Sequence, residues 1–482
     1  MDRQVRRLGL ALLVLFCALF LQLNYLHVVR ADKLANAPGN NRNAVRDFSR
    51  ERGTIETLDG TVLAESVPTD DVFKRLRRYP EGELFAHVAG YFSFTFGTDG
   101  VERTYNDDLA GRSVPLRRLR DVLSEDVRTG NVILTLSKSL QQVARDQLGR
   151  RKGAVVAINP TDGAVLAMWS YPSFDPNPLA AHNQRPVQEA WQSLQAAPDK
   201  PLLARSFRER YPPGSTFKVV TAAAALDRAP ELRSKDYPRL RDLDLPQTDR
   251  NLPNFGGSSC GGDLPALLKV SCNTGFAQMG LDLGADKLAG EARDFGFAAQ
   301  PPLDLPAVAR SVFAEASSFA RDKPALAKSA IGQQDVSATP LQMALVAAGV
   351  ANGGVVMKPH VMKEVRDSEG EVVRSWRPEP WTRAMSPDSA AALGEMMVGV
   401  VNGGTATRAA VPGAQVAAKT GTAQTTGDNS HAWIIAFAPA EAPRVAVAVI
   451  VESQPGLGDT VTGGRVAAPI AQAVLRAALA SP

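Results

Sequence analysis

The stretch "YPPGSTFKVVTAAAALDR", residues 211–228, sets the strongest condition on the fold. Pro212 and Pro213 fit poorly inside a helix, so one is predicted to begin at or just after Gly214. Residues 215–226 are apolar on nearly every face, and such a helix must be enclosed by other elements. A chain of 482 residues, 44% hydrophobic and 22% charged, can bury a core of that size. Ser215 and Lys218, three residues apart, share one face of the first turn. A capping serine followed by a solvated lysine is the plain reading. Against it, a lysine opening an enclosed helix needs a partner or a shifted pKa.

The ends of the chain say where that helix works. Arg3, Arg6 and Arg7 precede "LGLALLVLFCALFLQLNYLHVV", a run long enough for a bilayer, which takes roughly 20 apolar residues. A signal peptide cleaved near Val29 and Ala31 is the rival; Arg30 between them and the length of the run favour an uncleaved anchor. The N-terminus is expected inside the cytoplasm and the rest outside it. Cys17 then reads as a small hydrophobe in the membrane helix. A formal charge of +4 does not call for nucleic acid as a partner.

Residues 32 to about 50, including "NAPGNNRN", read as a polar linker. From "ERGTIETLDGTVLAES" to residue 150, short strands broken by Gly, Asp and Pro, then a basic amphipathic stretch, describe a small accessory domain. "GAVVAINPTDGAVLAMWS" is predicted to be a hairpin. "QVAAKTGTAQ", "AWIIAFAP" and "RVAVAVIVES" follow much later as consecutive strands, and "RVAAPIAQAVLRAALA" as a helix covering them. Strands at both ends with helices between them indicate an α+β domain. The expected division is residues 1–30, tail and anchor; 31–150, a non-catalytic N-terminal domain; and 151–482, the catalytic domain.

Two further triplets bear on Lys218. In "KVSCNTG", after a predicted helix "LPALLK", Ser271 and Asn273 face one way if the turn is extended, and Cys272 the other. In "AAKTGTA", Lys419, Thr420, Gly421 and Thr422 lie on a strand, where Gly421 lets another backbone approach closely. Its plain reading is a strand with one snorkelling lysine. Cys260 and Cys272, an even pair outside the cytoplasm, could form a disulfide adding about 3 kcal/mol, or stay two buried thiols. No Cys/His spacing suits a metal, and none is expected. "GSSCG" at 257–261 matches the hydrolase elbow but lacks a buried strand before it. "GAQVAAKT" has Ala418 where a phosphate loop needs glycine. The five histidines are scattered.

Ser-x-x-Lys, Ser-x-Asn and Lys-Thr-Gly, in this order, are the signature of penicillin-binding proteins and class A β-lactamases. The chain resembles a class B penicillin-binding protein, and among these most closely the penicillin-binding protein A group of actinobacteria. Cys272 replaces the aspartate of the Ser-Asp-Asn form. Further matching segments are "ERGTIETLDGTVLA", "GTDGVERTYNDDLAG", "AINPTDGAVLAMWSYPSFDPN", "ARDFGF" and "IGQQDVSATPLQMA", spread over nearly the whole chain. Gln334 stands where the family more often has glycine.

The resemblance implies a transpeptidase fold, an antiparallel sheet flanked by helices, and acyl transfer between peptidoglycan stem pentapeptides ending in D-Ala-D-Ala. Ser215 would be the nucleophile and Lys218 its base, with Lys419 lowering the pKa of Lys218 and Ser271 relaying the proton. Asn273 would hold the substrate amide, and Lys419 with Thr420 its carboxylate. Backbone N–H groups of Ser215 and Thr422 would form the oxyanion hole, and the substrate would add as a strand along Lys419–Thr422. It also implies covalent inhibition by β-lactams, no cofactor, and a glycan polymerase and division or elongation proteins as partners. A D,D-carboxypeptidase would share the motifs. A β-lactamase would need a Glu-x-x-Leu-Asn segment, which is not seen between the second and third motifs, and a β-lactam sensor would carry several membrane spans. A non-catalytic division scaffold is the remaining rival.

Overall fold

The apolar strands at the two ends of the catalytic region meet in one sheet. Its order is Ala417–Gln424, Ser430–Ala438, Val445–Val451, Gly153–Ile158 and Val165–Tyr171, every neighbour antiparallel. These are the strands expected from the alternation of apolar runs and turns, and a computed structural model describes them within residues 2–26, 45, 48–113, 129–424, 430–453 and 462–480. Val445–Val451 and Gly153–Ile158 are buried at every position, which is why they read as continuous apolar runs rather than alternating ones. The buried helix Pro340–Ala351 packs on these central strands. The C-terminal helix Ala468–Ala480 packs on Val445–Val451 and Ser430–Ala438 and against Lys138–Leu148.

The helix Lys218–Arg228 is buried from Lys218 through Leu226, against helices Asn273–Asp294 and Pro387–Val401. Its start differs in detail from the expectation. Gly214–Phe217 forms a 3₁₀ turn, and the α-helix proper begins at Lys218. A 3₁₀ turn eclipses residues three apart, so Ser215 and Lys218 still share a face. Gly214 takes φ +54°, and its N–H bonds to the carbonyl of Gly332 at 2.9 Å. A Cβ there would meet Thr422 O and Ala423 Cα at 3.1 Å, so only glycine allows the turn to lie this close to the strand.

The N-terminal sheet is less local than a linear reading suggests. Ile55–Glu56 pairs with the strand beginning at Val62 and, in parallel, with Asn131–Leu134. Asn131–Leu134 pairs with Met362–Arg366, which pairs in turn with Val372–Ser375. Two strands from late in the chain thus complete this sheet, while Lys138–Leu148 packs on the strand Val165–Tyr171 of the other. The "ERGTIET" and "GVERTY" segments meet at a buried carboxylate: Glu102 accepts from Arg52 and Arg77 at 2.6 Å each, and from the Tyr79 hydroxyl at 3.2 Å. A fully buried carboxylate is tolerated because both oxygens are paired with guanidinium groups.

By internal contacts the chain forms two units, residues 1–51 with 67–76, and residues 52–66 with 77–482. The first carries the helix Asp2–Asn24, of which Arg3–Asn24 is long and apolar enough to cross a membrane. The linker "NAPGNNRN", the positions Val29 and Ala31, and the basic segment at 114–128 lie outside the described residues.

Candidate active site

Lys218 and Lys419 are both 0% exposed, so neither ammonium can be hydrated and each must find protein partners. They find a common one. Lys419 Nζ donates to Ser271 Oγ at 2.8 Å and to its neighbour's carbonyl, Thr420 O, at 2.9 Å. Lys218 Nζ donates to Ser271 O at 2.7 Å and Asn273 Oδ1 at 2.6 Å, and stands 3.4 Å from Ser271 Oγ. The Phe276 ring centroid lies 5.6 Å from the same nitrogen. Burial takes Lys218 well below the ordinary lysine pKa, and the like charge of Lys419 lowers it further. Burial brings Lys419 down to about 7.

Ser271 and Asn273 reach Lys218 through a joint between two helices. Leu264–Val270 ends at Ser271, which takes a left-handed conformation, φ 61° and ψ 44°; Cys272 is extended, and Asn273 opens the next helix. The alternation expected of an extended turn is therefore achieved differently, by a left-handed residue followed by an extended one. Ser271 and Asn273 both meet Lys218, while Cys272 is bonded to Cys260 in a disulfide. "GSSCG" contributes that disulfide, with Ser259, the serine of the elbow pattern, outside any strand-to-helix turn. "GAQVAAKT" runs into a strand, not a phosphate-binding helix.

The Lys-Thr-Gly strand is an edge of the five-stranded sheet. Residues two apart share a face, so Lys419 and Gly421 point together toward the Ser215 turn. A Cβ at Gly421 would lie 2.9 Å from Pro213 O and 3.0 Å from Thr216 Cγ2, so its absence lets the strand run against that turn. Ser215, within that turn, is half-buried. Thr420 and Thr422 alternate to the other face. Thr422 is half-buried, and the Thr420 hydroxyl is 2.6 Å from that of Thr405. Thr405 belongs to no motif singled out in the sequence, and nothing local to it signals a role. It follows the helix Pro387–Val401, and its N–H bonds to Lys269 O at 3.3 Å.

One departure from the family pattern acquires a physical meaning. Gln334, where glycine is more usual, has φ +62°, in the left-handed region that a glycine occupies without strain. Three of the histidines are engaged through their rings with the main chain: His87 with Pro201 O, His360 with Met362 O, and His431 with Ser453 N.

Comparison with known proteins places these residues in context. The penicillin binding protein transpeptidase domain family matches residues 153–476, and the penicillin binding protein A dimerisation domain matches residues 52–133. The peptidoglycan D,D-transpeptidase PbpA of Mycolicibacterium smegmatis is 41% identical over 99% of both chains. That of Mycobacterium tuberculosis is 40% identical, again over 99% of both. The ceftriaxone acyl-enzyme structure of penicillin-binding protein A from M. tuberculosis superposes with a TM-score of 0.84. It is 40% identical and covers 90% of this chain and 100% of that one. The imipenem acyl-enzyme of the same protein gives 0.83 at 41% identity, with 90% and 100% coverage.

Proposed function

The chain belongs to the penicillin-binding protein transpeptidase family, and from that membership we propose that it is a serine-type peptidoglycan D,D-transpeptidase acylated at Ser215. The observation that carries the assignment of residues is the convergence of two dehydrated lysines on one serine hydroxyl, beside the turn that bears Ser215. Family membership supplies the reaction, and the geometry supports the roles.

Lys218 acts as the base. A neutral amine has two hydrogens, matching its two short bonds to Ser271 O and Asn273 Oδ1, and its lone pair is left for a proton. Ser215 Oγ attacks the carbonyl of the penultimate D-Ala as Lys218 takes the hydroxyl proton. The resulting oxyanion sits at the backbone N–H groups of Ser215 and Thr422; one such donor is worth about 2.7 to 4 kcal/mol. The proton returns through Ser271, which Lys419 holds in place, to the nitrogen of the departing D-Ala, leaving an acyl ester on Ser215. The amine of a neighbouring stem attacks this ester, gives up its proton by the same route, and frees the serine.

Asn273 holds the substrate amide, and Lys419 and Thr420 hold its carboxylate. The peptide adds as a strand beside Lys419–Thr422, since that strand is an edge. β-Lactams enter by the same attack and remain as the acyl-enzyme. Residues 1–30 form a cytoplasmic tail and anchor in the cytoplasmic membrane, 31–150 a non-catalytic domain, and 151–482 the extracytoplasmic catalytic domain. A glycan polymerase and division or elongation proteins are its partners.

Labelling of membranes with a fluorescent penicillin, with a parallel cross-linking assay on pentapeptide stems, tests the reading. The wild type is expected to label and cross-link, and Ser215→Ala to do neither. Labelling that survives the substitution removes the nucleophile assignment. Release of D-Ala without cross-links would make the enzyme a carboxypeptidase, and labelling with neither product would leave a sensor or scaffold.

A further inference from the structure

We propose that Asn254 is a positioning residue for acyl transfer: its carboxamide supplies the helix cap that Cys272 cannot, and thereby fixes Asn273 against the Lys218 amine. The inference rests on the roles assigned above to Ser215 and Lys218.

The helix Asn273–Asp294 begins immediately after Cys272, and its first N–H groups need acceptors. Serine, threonine, aspartate or asparagine at the position before a helix provides one from its own side chain. Cys272 occupies that position, makes no side-chain cap, and has its sulfur committed to Cys260. The acceptor arrives from elsewhere in the chain. Asn254 Oδ1 accepts from Asn273 N at 2.9 Å and from Thr274 N at 3.0 Å.

Asn254 is itself held rigidly. It is 4% exposed, and the two hydrogens of its Nδ2 are shared among four acceptors, Leu240 O at 2.9 Å, Ser258 O at 3.1 Å, Arg241 O at 3.3 Å and Thr274 Oγ1 at 3.3 Å. The preceding carbonyl, Pro253 O, accepts from the Asn273 side-chain amide at 3.2 Å. The same strand end thus grips both the backbone and the side chain of Asn273. The free oxygen of that side chain, Oδ1, is the atom that Lys218 Nζ meets at 2.6 Å. The joint at Ser271 and Cys272 is therefore fixed on one side by the disulfide and on the other by Asn254. Only the second reaches a residue that touches the base.

The test compares wild type, Ser215→Ala, Asn254→Ala and Asn254→Asp for acylation by a fluorescent penicillin between pH 5 and 9, alongside thermal unfolding of each. Asn254→Asp keeps the accepting oxygens and gives up the donated bonds. Loss of one cap and of the alignment behind it is expected to slow Asn254→Ala by at least about tenfold at its optimum, with Asn254→Asp within about threefold of wild type. Without Asn273 Oδ1 the Lys218 ammonium loses an acceptor and deprotonates more readily, with Lys419 the like charge still facing it. The acid limb of Asn254→Ala therefore moves to lower pH, which a loss of stability alone would not produce.

The proposal is overturned if Asn254→Ala acylates within about threefold of wild type, if its acid limb stays in place, or if Asn254→Asp is as slow as Asn254→Ala. Should Asn254→Ala show no unfolding transition, Asn254→Asp decides alone: near-wild-type acylation supports the proposal, and a tenfold loss overturns it. A wild type that is not labelled would instead remove the functional reading. Labelled wild type, blank Ser215→Ala and unaffected Asn254 variants would remove only this inference.

Discussion

Replacing Lys419 by methionine isolates the electrostatic half of the mechanism. Methionine is close to lysine in length and apolar, so the enclosed site stays filled while one positive charge disappears. The two Nζ atoms lie 3.4 and 2.8 Å from the same Ser271 oxygen. They can stand no more than about 6 Å apart, where like charges repel by about 3 kcal/mol at an effective dielectric of about 20. That repulsion adds to burial in holding the Lys218 pKa below the ordinary lysine value. With Lys419 brought down to about 7, the repulsion is full below neutral pH and fades above it. In Lys419→Met the acid limb for acylation is expected to move to higher pH, and about 3 kcal/mol of lost repulsion would cost up to about a hundredfold in rate at acidic pH. If Lys419 also holds the substrate carboxylate as proposed, losing that contact lowers the rate by one factor at every pH. Second-order acylation rates with a fluorescent penicillin across pH 5 to 9 separate the two effects. A uniformly slower variant whose limb is unmoved, or shifted to lower pH, would refute the idea that Lys419 tunes Lys218.

Three further outcomes follow from single positions. Thr405→Val frees the Thr420 hydroxyl from its partner and is expected to weaken the initial β-lactam complex about fivefold, one hydrogen bond's worth, with the first-order acylation step unchanged; stopped-flow kinetics would separate the two. Gln334→Gly removes a left-handed φ from an exposed side chain, and a gain of about 0.5 to 1 kcal/mol should remain after glycine's entropy is charged against it, read as a raised Tm. Burial lowers the His87 pKa to about 4. Because the unfolded chain takes up this proton first, the stabilisation is present above about pH 6.5 and is lost as pH falls toward 4, a change of about 3 kcal/mol. His87→Gln should flatten that part of the stability profile in denaturant titrations from pH 7 to 4.

How much could be read in advance depended on the range of the interaction involved. The Pro-Pro-Gly break, the fully apolar helix behind it and the three sheet strands near the C-terminus are set by sterics and hydrophobic period within a few residues. They lie close to where they were expected. The start of that helix as a 3₁₀ turn and the left-handed Ser271 were not legible, because close packing selects among local conformations of similar energy. The strands Met362–Arg366 and Val372–Ser375 in the N-terminal sheet were missed because strand pairing is a contact between distant segments.

The amino-acid sequence alone determined which reactive groups the chain carries, their local spacing and the apolar periods that require burial, since each depends only on near neighbours. Tertiary structure alone decided that Lys419 reaches Ser271 across 148 residues, that Thr405 meets Thr420, and that Asn254 caps a helix begun by another segment. Desolvation and shared hydrogen bonds arise only once separate segments have been packed together, and desolvation takes both lysines below the ordinary lysine pKa.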